Sequence, residues 1–321
     1  MVNRERQKLF GVGTIAVLLA HSSLIITIPS VLKILFGNGA IWAVRMFFFL
    51  SGIGLVCSAH KKGLIITEYY SKRVKRVLIP FWIIGVPFYF WQEIVIYQRP
   101  IHFFTKIFLV EYWISGKGHV WYLSVLIPLY LVFPVLYRIL NQGKEKLIIV
   151  TTGWIIFDIL LHQIATSYCS VIENMFTSVF AFLFGMLVAD RIDFVGKRDG
   201  FFVIGGILLF PIVTILTEGN NILVRYCSCF VGISMSFILA YIFQKISGGV
   251  LWRGIKLIGA YSLELYITNV FLIEIVNYYF GFVSAVVRLL LILEVGGVLS
   301  YGLQIVSNSI CKMWEKYKQT V

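Results

Sequence analysis

The sequence predicts an all-α polytopic membrane protein with about ten transmembrane helices, forming one membrane domain over residues 1–321. Three observations lead there. Hydrophobic residues make up 59% of the chain and charged residues 13%, against about 25% charged in a soluble domain. That leaves too little polar surface to cover a water-exposed globule. Long apolar runs recur from end to end, each near the length of about 20 residues that crosses a bilayer as a helix. Strands of a membrane barrel are about ten residues long and alternate apolar with polar, and these runs do neither. The third observation is the distribution of charge between the runs.

The expected spans are 9–29, 39–58, 77–97, 119–140, 147–166, 174–190, 200–217, 222–244, 256–276 and 283–308. Only Thr217 to Asn221 separate the seventh from the eighth. Numbering the loops alternately puts 21 of the 28 Lys and Arg on one side. Four fall on the other, Lys33, Arg99, Lys106 and Lys117, while Arg45, Arg225 and Arg288 lie within spans. By the positive-inside rule the richer side is cytoplasmic, so both termini and the basic 59–76 connection are expected there, in a cell inner (plasma) membrane. A second long connection, 98–118, is expected outside. The first run lacks a small-residue cleavage site and is expected to remain as an anchor.

A net charge of +13 would raise nucleic acid as a partner of a soluble protein. Here topology accounts for it, no nucleic-acid motif is present, and membrane lipid is the expected surrounding. The cysteines Cys57, Cys169, Cys227, Cys229 and Cys311 form no CxxC pair and read as free thiols, not a metal site. No GxSxG, HExxH, Walker loop or GxGxxG occurs, so no motif supports an ATP-driven pump or a metal hydrolase. Nothing in the sequence sets an oligomeric state.

Polar groups within spans are costly and are retained for a partner or a wet cavity. His21, two-thirds along the first expected span, is the best general-base candidate, since histidine titrates near neutrality. The alternative is a packing histidine bonded to a neighbouring carbonyl. Arg45 opens Met46-Phe47-Phe48-Phe49-Leu50-Ser51-Gly52 and either binds a carboxylate or phosphate or snorkels to the interface. Lys72-Arg73-Val74-Lys75-Arg76 is a topology anchor or a docking site for a cytoplasmic polyanion, with Arg73 and Arg76 at i, i+3 on one face. Trp121 and Tyr122 suit an interface, which leaves His119 beside them unexplained. Ser262, Glu264, Tyr266 and Asn269 form a polar strip in the ninth span. Asp158 and His162, at i, i+4, read as mutually satisfied. Arg288 and Glu294 carry no assigned role.

Together these segments resemble the integral-membrane acyltransferase family 3. The likeness is carried by Ala16-Val17-Leu18-Leu19-Ala20-His21, Phe47-Phe48-Phe49-Leu50-Ser51-Gly52 and Arg73-x-x-Arg76-x-x-x-Pro80-Phe81. It continues in His119-Val120-Trp121-Tyr122-Leu123-Ser124, in Tyr130, Phe133 and Pro134, and in Gly259-Ala260-Tyr261-Ser262-Leu263-Glu264-Leu265-Tyr266. The resemblance implies transfer of an acyl group, most often acetyl, from cytoplasmic acyl-CoA to a hydroxyl of a cell-surface or lipid-linked glycan. It implies acetyl-CoA as donor and no metal. It makes His21 catalytic, Arg73 and Arg76 acyl-CoA ligands, and Arg45, Ser51, His119, Trp121, Tyr122, Glu264, Tyr266 and Asn269 the substrate pocket. Two positions depart from the family pattern. Phe10 stands where an arginine usually precedes the histidine, with Arg6 one turn earlier, and Asn269 stands where a histidine often closes the ninth-span motif. These departures keep two non-enzymatic readings open, a flippase or transporter of a lipid-linked glycan and an inactive scaffold of a glycan-assembly complex.

Overall fold

The computed structural model of the protein describes residues 2–25, 30–116, 118–190, 200, 204, 205, 208, 222–246 and 248–320, with the backbone alone for 30–39 and 316–320. All regular structure among them is helical. The helices are α1 (Val2–Ser22), α2 (Ser30–Lys62), α3 (Ile66–Ile96), α4 (Pro100–Ile107), α5 (Glu111–Ser115), α6 (Trp121–Asn141) and α7 (Lys144–Ile164). They continue with α8 (Thr166–Val171), α9 (Glu173–Val188), α10 (Ile222–Lys245), α11 (Val250–Ala260), α12 (Ser262–Tyr279) and α13 (Ala285–Thr320).

Six of these, α2, α3, α6, α7, α10 and α13, are long and apolar enough to cross a bilayer. The broken pair α11–α12 makes a seventh if it is taken as one span, and α9 is a shorter apolar helix. The protein is an all-α, multi-pass membrane protein. The spans expected at 119–140, 147–166 and 222–244 coincide with α6, α7 and α10 to within three residues. Of the span expected at 200–217 only residues 200, 204, 205 and 208 are described, and the turn after it lies outside the described residues.

Three expectations are corrected. The 59–76 connection is not a long loop: α2 runs to Lys62 and α3 resumes at Ile66. Gly63, at φ +71°, supplies the left-handed residue that ends α2, and the basic residues after it are helical. The 98–118 connection is long, as expected, and contains α4 and α5. The first helix starts at Val2 and ends at Ser22, so His21 sits in its last turn and not at two-thirds of a longer span. The ninth span is two helices, interrupted at Tyr261 (φ −101°, ψ 13°).

The chain divides into two compact units. The first comprises Met1–Ala20, Ser30–Leu64 and Val125–Ala260. Its centre is α2, with Phe48, Phe49, Leu50 and Ile53 wholly buried. A Cβ at Gly52 would strike the Phe182 carbonyl on α9, and one at Gly185 on α9 would strike the Phe49 carbonyl on α2. The two backbones meet through reciprocal glycines, the small-residue packing that holds helices together where lipid supplies no hydrophobic drive. Phe49, Phe184, Phe180, Phe230 and Phe237 fill the space beside that crossing. On the edge of the unit, the Trp154 indole of α7 donates to the Phe176 carbonyl at 2.9 Å.

The second unit comprises His21–Pro29, Ile65–Ser124 and Tyr261–Val321. Phe88 of α3 stacks on Phe271 of α12 with centroids 4.4 Å apart. The α12–α13 seam is polar at its centre, where the Thr268 and Ser300 hydroxyls lie 2.7 Å apart. The short α4 is fastened to α3 by ions: Lys106 reaches Glu93 at 2.5 Å and Arg99 reaches the same carboxylate at 3.0 Å. Glu93 is wholly buried, so two cations compensate one enclosed charge.

Candidate active site

In the second unit, α3 carries the basic run and bends it out of register. Val74–Leu78 forms a π turn, the Ile79 amide donating five residues back to the Val74 carbonyl. Pro80 explains the turn: it has no N–H for the carbonyl four residues earlier, that of Arg76, and its ring crowds that oxygen. The single-face expectation for Arg73 and Arg76 is therefore corrected, because the two guanidiniums go to different partners. Arg73 lies over the Tyr69 ring at 5.7 Å. Arg76 grips Glu264 at the start of α12, Nη1 to Oε1 at 2.5 Å and Nη2 to Oε2 at 3.3 Å. Lys72 pairs with Glu68 and Lys75 with Glu315, each at 2.8 Å. The run that reads as purely cationic in sequence is partly neutralised by three acids from α3, α12 and α13.

Ten residues after Glu264 on α12, about 15 Å along the axis, Glu274 accepts from His119 Nε2 at 3.0 Å. The backbone before α6 is fixed at that point, since the Tyr266 hydroxyl donates to the His119 carbonyl at 3.1 Å. Tyr122 meets the Tyr266 ring edge-on, and Trp121 packs against Tyr112. Phe88 stands edge-on to the His119 ring at 6.2 Å. Asn269 is buried in the α12–α13 seam, its amide donating to the Leu265 carbonyl at 2.9 Å, with Gly296 of α13 against it. His21 belongs to this unit and is half-buried. The segment after it is held by Ile25, which packs among Leu272, Ile273, Val276 and Ile292.

The first unit holds the remaining candidates. Arg45 is 4% exposed and donates to Asn174 Oδ1 at 2.7 Å, so the snorkelling alternative is corrected: the side chain turns inward to an amide. Ser51 is half-buried beside Gly52. Phe10 stacks on Phe47 at 5.5 Å and serves α1–α2 packing. The Arg6 guanidinium lies where a Cβ on Gly54 would be, so an arginine from the turn before Phe10 does reach α2. Asp158 takes His162 at 2.8 Å, as its spacing implies, and also faces Arg225 at 3.7 Å.

Sequence reasoning missed the partners: Glu274, Asn174, Glu93 and Arg225. Glu274 carried a usable signal, because an acid in an apolar helix is expensive and Glu264 was singled out on that ground. Asn174 carried none. Among the described residues no three His, Cys, Asp or Glu gather as a metal would need, and none of the five cysteines is in a disulfide.

The family model for the acyltransferase family 3 domain, described as an acyltransferase domain, matches residues 11–304. The chain belongs to acyltransferase family 3. No curated protein and no solved structure matches it. As a family 3 member the protein is a multi-pass membrane acyltransferase. The matched region contains every site residue expected from sequence, from His21 to Asn269, together with Glu274, while Arg6 and Phe10 lie before its first residue.

Proposed function

We propose that this acyltransferase moves an acyl group, in the simplest case acetyl, from cytoplasmic acyl-CoA to a hydroxyl of a cell-surface or lipid-linked glycan. His21 acts as general base. The observation that carries the reading is the family match over residues 11–304, which takes in the histidine segment, the basic turn of α3 and the polar strip of α12. Chemistry within the second unit supports it. Arg73 and Arg76 offer guanidiniums to anionic oxygens, and Arg76 is held in place by a carboxylate that is 1% exposed. The CoA phosphates would dock there, and the pantetheine arm would run into the membrane.

His21 takes the proton of the acceptor hydroxyl as the oxygen attacks the thioester carbonyl. The C–S bond breaks, an O-acyl ester forms, and the CoA thiolate receives the proton back from the imidazolium. Positive-inside charge supports cytoplasmic termini and an inner-membrane setting, which puts the donor and the basic turn on the same side. Purified protein in lipid nanodiscs, given acetyl-labelled acetyl-CoA and extracted lipid-linked glycan, tests the reading. Base-labile label on the glycan with stoichiometric free CoA is expected. Glycan movement across the bilayer without ester formation would leave the transporter reading in its place.

A further inference from the structure

The last helix, α13, presents two unlike faces. Ile292, Gly296, Ser300 and Leu303 recur every three or four residues and are buried. On this side the Ser300 hydroxyl lies 2.7 Å from that of Thr268 on α12, and Gly296 stands against Asn269. The opposite face carries Val287, Leu290, Glu294, Gly297, Tyr301 and Ile305, all exposed. Because α13 is long and apolar enough to cross a bilayer, that exposure is to lipid.

Glu294 is out of place there. It lies near the middle of the span expected at 283–308, where an ionisable side chain is expensive without a partner. Arg288, six residues earlier, is engaged by Asn277 at 2.7 Å. Glu294 itself has no hydrogen bond or ion pair with any described residue, and lipid tails offer none, so its partner belongs to another chain. The spacing says which chain. Val287, Leu290, Glu294, Gly297 and Tyr301 alternate at intervals of three and four residues, the seam of two helices packed side by side, where a single polar residue fixes register. A Cβ at Gly297 would meet nothing within 4 Å, which leaves that backbone open to close approach. Two copies inserted with one topology run parallel, so Glu294 of each arrives at the same depth. A neutral carboxyl carries an O–H donor beside its acceptors, and two of them satisfy each other across a two-fold axis.

We propose that the exposed face of α13 is a docking surface for a second copy of this chain. The two α13 helices lie parallel along the seam from Val287 to Ile305, and the two Glu294 carboxyls hydrogen-bond to each other at its centre. The proposal is independent of the acyl-transfer reading, since no residue of the seam is placed in the proposed chemistry.

The test has two arms. In membranes holding the full chain with its five cysteines replaced, oxidation is expected to cross-link copies through Leu290→Cys and through Gly297→Cys. Leu299→Cys is also exposed but lies about 140° around the helix from Glu294, and it is expected to stay uncross-linked. In liposomes of increasing lipid-to-protein ratio, fluorescence transfer between labelled copies measures the dissociation of the pair. Glu294→Leu is expected to weaken pairing about 5–30-fold while the protein inserts and accumulates, because the position faces lipid. Glu294→Gln, whose amide both donates and accepts, is expected to keep most of the affinity. A parent that is monomeric at every lipid ratio would overturn the proposal, even if it cross-links to some other protein. So would cross-linking as efficient at Leu299→Cys as at Leu290→Cys, or pairing that Glu294→Leu leaves unchanged.

Discussion

Arg76 and Glu264 meet at two points, 2.5 Å and 3.3 Å apart, across α3 and α12. The fork geometry ties the turn that carries the basic run to the helix that carries the polar strip, and only arginine can make both contacts at once. Removing the guanidinium strands an enclosed carboxylate. Arg76→Ala is therefore expected to lower stability by about 1.5 kcal/mol, the lower end for a charge-assisted bond, because the arginine is itself partly exposed. Arg76→Lys should lose less, and Glu264→Gln added to Arg76→Ala should restore part of the loss. Thermal unfolding in detergent checks the series. In the same preparations Arg73→Ala with Arg76→Ala should weaken acyl-CoA binding at least tenfold while insertion survives. Unchanged affinity would make the cluster a topology anchor only.

The crossing of α2 and α9 depends on having no side chain at two positions. Gly52→Leu and Gly185→Leu should each prevent recovery of a monodisperse detergent-solubilised protein, since the added atoms meet backbone, which cannot give way. Gly153 on α7 is the control, because a Cβ there meets nothing within 4 Å. Gly153→Ala should raise stability by up to about 1 kcal/mol through helix propensity. Equal tolerance at all three positions would contradict the close packing of the unit.

The proposed topology rests on the charge bias. In a cysteine-free background, Lys62→Cys should resist an impermeant thiol reagent in intact cells, and Gln98→Cys should react. Strong labelling at position 62 from outside would invert the assignment and remove the cytoplasmic donor.

Apolar length alone marked α6, α7 and α10 in the sequence, because an isolated run flanked by charge has one solution in a bilayer. The break at Tyr261 left no such mark. Hydropathy continues through Gly259-Ala260-Tyr261, while the helix before it is set by backbone approach, the Gln7 carbonyl of α1 standing where a Gly259 Cβ would be. The helical start of α3 was hidden for the opposite reason: its charges read as loop, although Glu68 and Lys72 at i, i+4 pair along a helix. At the site, residues that resemble a family motif were legible and their partners were not. His119 stood out, but Glu274 is remote in sequence and becomes its partner only where the segment before α6 meets α12.

The central claim is that His21 carries the proton transfer. It lies in the last turn of α1, within the region that the family model matches, and a position needing only packing would do better with leucine. The decisive measurement is glycan O-acylation by His21→Ala, normalised to protein amount and run beside acyl-CoA binding. The account predicts a loss of about 10²–10⁴-fold in rate with protein amount and acyl-CoA affinity near the parent, and the same loss in His21→Gln, whose amide cannot take the proton. Activity retained in a well-expressed His21→Ala variant, or lost only in step with protein amount, would contradict it.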